Sequence, residues 1–160
     1  MHEQRYSRIL SEIVGDYQLA KEPIIQFNDI PDPMKAGAIY FNSGIIRLVI
    51  TTNPNMFLGA DDDIILGGLA HELVHLENFS RMTHFDYYIH FLSLLSREYE
   101  KTNERNTDLG VILKGRRHGI CLLKNREYRY KTAPKERFER MRSFYLSPDE
   151  IKQEIQRRWQ

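Results

Sequence analysis

The segment Leu69-Ala70-His71-Glu72-Leu73-Val74-His75-Leu76 sets two histidines four residues apart, with a glutamate directly after the first. On an α-helix four residues advance about 6 Å and turn about 400°, so His71 and His75 point the same way. Two imidazoles so placed can both reach one Zn²⁺ at about 2.0–2.1 Å. Glu72 is rotated about 100° from His71 and flanks such an ion, where a carboxylate can take a proton from activated water. Apolar residues surround these three polar ones. Burying three polar groups on such a helix needs a compensating partner, and a metal ion is one.

A catalytic zinc site takes three protein ligands and keeps a fourth position for water. The third ligand is expected from Asn103-Glu104-Arg105-Asn106-Thr107-Asp108, where Glu104 lies 29 residues beyond His75. Glu104 and Asp108 are four apart and share a helix face. One carboxylate can bind the ion while the other accepts the outer N–H of a ligand histidine, fixing its tautomer and ring orientation.

Taken together, His71-Glu72-x-x-His75 and Asn103-Glu104-x-x-Thr107-Asp108 resemble the gluzincin pattern HExxH…NExx[A/S]D. The similarity is greatest to the HtpX-type and CAAX-prenyl endopeptidase branch and to its small soluble relatives, the minigluzincins. Asn78 and Gly115 also match that branch, and the resemblance covers about residues 36–116. It implies that His71, His75 and Glu104 bind one zinc per chain and that Glu72 is general base and acid. It further implies that Asp108 orients a ligand histidine, that Asn103 supports the ligands, and that a peptide or protein substrate lies along an edge strand at Ala36, Gly37, Ala38 and Ile39. Three features depart from the pattern. Thr107 stands where the branch usually has alanine, the membrane helices of the large peptidases are absent, and the C-terminal 45 residues exceed the minimal scaffold. In minigluzincins such segments can block the cleft, so latency is part of the expectation. Gluzincins often add a donor for the oxyanion. His118, in Gly115-Arg116-Arg117-His118-Gly119, is the first candidate and Tyr128 the second, although that stretch reads equally as a loop.

These residues need elements to hold them, and the chain reads as an α+β domain: a small sheet with a hairpin, packed on the His-Glu helix and a glutamate helix. Tyr6, Ile9, Leu10, Ile13, Val14 and Tyr17 predict a helix over 2–19. Ile24–Phe27 reads as extended and Pro31-Asp32-Pro33 as a turn. A hairpin is expected from Ala36–Phe41 and Ile45–Thr51 joined by Asn42-Ser43-Gly44, with the small residues 36–38 suited to close backbone approach or simply marking a weak strand. Asp61-Asp62-Asp63 starts the site helix, running to about residue 79. Further helices are expected over about 84–100, 103–114, 134–145 and 148–159, the last opened by the capping box Ser147-Pro148-Asp149-Glu150. His84 and His90 sit among aromatic residues and read as packed or capping histidines. Cys121 reads as a buried apolar residue.

The 160 residues are 41% hydrophobic and 28% charged, which fits one ordinary globular domain rather than a disordered or fibrous chain. The expected division is a core of about 20–116 with a helical extension over about 117–160. One cysteine excludes a disulfide framework, no apolar run approaches the length of a membrane span, and the polar N-terminus predicts a cytoplasmic protein. Residues 1–80 hold 5 basic and 11 acidic groups, while residues 81–160 hold 18 and 11. That asymmetry can mark an anionic partner, but with no recognisable DNA- or RNA-binding motif nucleic acid is an unlikely one. The leading expectation is an endopeptidase-type zinc hydrolase, and the alternative is a non-catalytic zinc-binding regulatory or interaction module.

Overall fold

Tyr6, Ile9, Leu10 and Ile13 recur at helical spacing because they form the buried face of α1 (His2–Ile13), which a 3₁₀ turn over Val14–Asp16 then ends. The structure, a computed structural model, describes residues 2–31 and 34–160. The expected turn at 31–33 therefore falls mostly outside the described residues.

Three strands form one sheet: β1 (Pro23–Phe27), β2 (Met34–Phe41) and β3 (Gly44–Thr52), in the order β1-β3-β2. β1 runs parallel to β3 and β2 antiparallel to it, so β2 is an edge of the sheet. Phe41 pairs with Gly44, which leaves a two-residue turn at Asn42-Ser43 instead of the expected three-residue connection. Both turn residues have positive φ, 46° and 64°. This is the turn hand that matches strand twist. Leu48, Ile50 and Thr52 alternate along β3 and are fully buried, which is the period-two pattern of a half-buried strand.

The site helix is α2 (Asp62–Ser80). Its start follows from the sequence: the Asp61 carboxylate accepts the Ile64 amide at 2.9 Å, and Asp62 and Asp63 sit in the first turn. α2 is buried on nearly every side, as expected of a central helix that is apolar all round. The predicted helix over 84–100 is instead two. α3 (His84–Ser93) opens with a capping box between Thr83 and Asp86, and α4 (Arg97–Leu113) opens at Ser96, whose hydroxyl accepts the Tyr99 amide. The break thus falls at residues 94–96, where Ser96 supplies an N-cap, and not near residue 102. α6 (Lys135–Phe144) and α7 (Pro148–Arg158, with the predicted capping box) close the chain.

Between α4 and α6 lies α5 (Arg116–Thr132), for which the hydrophobic pattern gives no indication. Its buried residues include His118, Asn125 and Arg126, so polar side chains interrupt the apolar stripe that would announce it. α5 crosses α2 closely at Gly67, where an added Cβ would sit 2.1 Å from the Cys121 carbonyl oxygen. Gly67→Ala should therefore cost about 1–3 kcal/mol through overpacking, despite the roughly 1 kcal/mol that alanine gains in helix propensity. Urea denaturation checks this, and an unchanged or raised midpoint would contradict so tight a crossing.

One hydrophobic cluster runs from Tyr6 through Leu69 and Leu73 to Ile151. The first and last segments of the chain share the core of residues 20–116 and do not form a separable extension. Among the described residues no helix is long and apolar enough to cross a membrane.

Candidate metal centre

α2 presents His71 and His75 from one face, and α4 presents Glu104 opposite them. One donor atom from each residue lies within 4.8 Å of the other two. His71 Nε2 is 3.2 Å from His75 Nε2 and 3.0 Å from a Glu104 oxygen, and that oxygen is 3.4 Å from His75 Nε2. Donors about 2.0–2.1 Å from a tetrahedral zinc stand roughly 3.3 Å apart, so these separations fit the edges of such a polyhedron. Two ring nitrogens and a carboxylate oxygen facing one another form a donor set for a cation. The group could hold a metal ion.

Behind the first histidine the arrangement continues. His71 Nδ1–H donates to Asp108 at 2.9 Å, which turns Nε2 towards Glu104 and His75. Asp108 is fully buried and accepts three further bonds: Arg126 Nη2 at 2.8 and 2.9 Å, and the Leu146 amide at 2.9 Å. Burial opposes ionisation of Asp108, but the Arg126 charge and the His71 bond hold its carboxyl below the usual range. Burial opposes ionisation of Glu104 in the same way, and the two histidines outweigh it. Thr107 is buried and spends its hydroxyl on the Asn103 carbonyl at 2.9 Å, while Asn103 itself lines the cleft.

Without metal, burial disfavours a charged His71, yet its bonds to Asp108 and Glu104 prevail and push its pKa up to about 10. Zinc can take Nε2 only after that proton leaves. Apparent zinc affinity should then rise with pH, about tenfold per unit for one displaced proton, and level off above about pH 10. Chelator competition between about pH 7 and about pH 9 reads this slope, and a flat profile would exclude proton displacement.

Glu72 is nearly buried, with its carboxylate turned to a cleft of about 610 Å³ and to a small cavity behind it, and it makes no hydrogen bond or ion pair among the described residues. On the edge strand Ala36 lines the cleft. Further along, the Ala38 amide points outward but donates to the Tyr87 hydroxyl at 2.9 Å. Gly37 serves no close approach, since an added Cβ would meet nothing within 4 Å, and Ile39 is exposed.

Two expected donors lie elsewhere. His118 is near the start of α5, eight residues and about 12 Å along the axis from Arg126. Its ring packs edge-on against Tyr17 and its Nε2 lies 3.1 Å from the Asp16 carboxylate, so it is not among the residues lining the cleft. The stretch around it is helix and not loop. Tyr128 stacks on Phe57 and donates to the Leu58 carbonyl at 3.2 Å. His90 is buried against Phe79 and 3.0 Å from the Tyr99 hydroxyl, and His84 packs on Tyr40, as packed histidines do.

The tyrosine that does line the cleft is Tyr145. Its ring lies 5.7 Å from the His71 ring, with Arg126 over it at 4.3 Å and Arg129 at 5.6 Å. Burial raises its pKa well above the usual phenol range, so it remains a neutral donor. Arg105 anchors this segment, donating to the Tyr145 carbonyl at 3.2 Å and to Glu150 at 2.5 Å. Sequence reasoning missed Arg126, Arg129 and Tyr145. The spacing Leu122-Asn125-Arg126-Arg129 places all four on one helix face and is the available clue. No protein-family profile, curated protein or solved structure matches the chain.

Proposed function

We propose that the chain is a gluzincin-type zinc metallopeptidase that hydrolyses peptide bonds in a peptide or protein substrate. The observation that carries this is the convergence of His71, His75 and Glu104 within 4.8 Å, beside a Glu72 carboxylate that makes no hydrogen bond or ion pair among the described residues. His71, His75 and Glu104 would hold one zinc per chain. When bound, zinc polarises a carbonyl and acidifies water. Glu72 takes the proton from the attacking water and passes it to the leaving amine. Tyr145, kept protonated by burial, donates to the oxygen on which charge develops. The substrate backbone adds to the β2 edge at Ala36, one outward position before the Tyr87 cap.

Elemental analysis of protein purified without chelator or histidine tag tests the reading. It should give one zinc per chain, with hydrolysis lost on chelation and restored by zinc. No metal after zinc has been supplied and the excess removed would end it. Permanent filling of the cleft by the C-terminal segment is not favoured, because Met141 and Tyr145 form a wall and leave about 610 Å³ beside the ligands. Truncation near Pro134 would remove Tyr145 and Leu146 together, so silence of that fragment would not distinguish inhibition from a dismantled site.

A further inference from the structure

The α5–α6 side of the cleft carries three guanidiniums, Arg129, Arg137 and Arg140. Arg140 is ion-paired with Glu100. The other two have no carboxylate within ion-pair distance among the described residues: Arg137 makes a long contact to Met56 Sδ at 3.9 Å, and Arg129 lies over the Tyr145 ring. That ring also carries Arg126, so Arg129 is only partly exposed and sits close to a second cation. Desolvating a charge beside a like charge is unfavourable unless an anion compensates, and Arg129 has only the field of Glu72 and Asp108, neither of them in an ion pair or hydrogen bond with it. Other partly buried charges in this chain are compensated, as in Lys114 with Glu77, Arg105 with Glu150 and Arg126 with Asp108. Arg129 also adjoins the reacting groups, because it and Glu72 both line the cleft and the small cavity behind it.

We propose that Arg129, with Arg137 on the same wall, forms an anion subsite that holds a carboxylate of the substrate next to the metal. A guanidinium fork matches a carboxylate in two parallel hydrogen bonds. The carboxylate is either the free C-terminus of a peptide or an Asp or Glu side chain. The proposal takes from the peptidase reading the identity of the ligand as a peptide, while the anion subsite rests on the unpaired guanidiniums.

The test uses zinc-loaded, ¹⁵N-labelled Glu72→Gln protein and three pools of N-acetylated tripeptides degenerate over the non-acidic residues: free acids, amides, and amides with a fixed central Asp. The Arg129 Nε–H signal is assigned by its loss in Arg129→Lys. It should shift saturably with the acids or with the Asp-containing amides, and not with the plain amides. Response to the acids alone identifies a C-terminal carboxylate, and response to the Asp pool an acidic side chain. Arg129→Gln should weaken the responding pool by about tenfold or more, with zinc content unchanged. No shift with any pool, or equal affinity in Arg129→Gln, overturns the subsite. Should Glu72→Gln or Arg129→Gln not fold, wild-type protein titrated with N-acetylglycine and with N-acetylaspartic acid α-amide against N-acetylglycinamide, and Arg129→Lys in place of Arg129→Gln, give the same comparison. Carboxylate binding at Arg129 in a chain that cleaves nothing keeps the subsite and sinks the peptidase reading. Cleavage indifferent to Arg129→Gln does the reverse.

Discussion

Glu72→Gln protein should bind zinc at one ion per chain and turn over peptide about 10²–10⁴-fold more slowly. Glutamine keeps the size and the polar oxygen of glutamate but is no base at neutral pH, so it isolates the proton transfer from the packing. Glu72 is not one of the three converging donors, and the bond between His71 and Asp108 does not pass through it. The ligands should therefore stay in place. Kinetics and elemental analysis on the same sample make the check. A fully active Glu72→Gln preparation, shown free of contaminating protease, would remove Glu72 from the mechanism. Loss of zinc in that variant would instead make Glu72 part of the binding site.

Arg126→Met should destabilise the protein by up to about 3–5 kcal/mol, because it takes one of two cations away from the buried Asp108 carboxylate. Both residues are almost wholly buried, and Arg126 Nη2 contacts both carboxylate oxygens, at 2.8 and 2.9 Å. The Leu146 amide and the His71 ring remain as partners, and in the metal-free protein His71, its pKa pushed up to about 10, still sets a positive charge against Asp108, so the loss is fullest where His71 is neutral. Because Asp108 orients His71, zinc affinity should fall as well, by about 10–100-fold. Urea denaturation of the metal-free protein and chelator competition measure the two effects. Asp108→Asn in the Arg126→Met background should recover part of the lost stability, since the under-compensated charge is then gone. A loss below about 1 kcal/mol in the single variant would mean that Asp108 adapts by other means.

His71 and His75 were legible because helical spacing and residue type carry the argument for them; the same spacing brought Glu104 and Asp108 to one face but left their two roles open, and only the gluzincin resemblance told them apart. The caps of α2 and α7 were equally plain in Asp61 and Ser147. α5 was not legible, since hydrophobic periodicity is blind to a helix whose buried face includes Asn125 and Arg126. The same blindness hid the partner of Asp108 and left His118 as the nearest candidate in sequence, at the wrong end of a helix that had not been recognised. Tyr145 was hidden for another reason. It follows α6 in an extended conformation, and only the packing of α6 and α7 brings it over His71.

The bond from Leu146 to Asp108 has a consequence for how this site can vary over generations. Its donor is a backbone amide, which nineteen of the twenty amino acids possess and proline lacks. Drift at position 146 can change the side chain packed into the core, yet it cannot delete the contact short of proline or a shift of the main chain. At position 126 every replacement deletes the guanidinium. The carboxylate behind His71 is thus fastened by one attachment that heredity can readily lose and another that it can hardly touch.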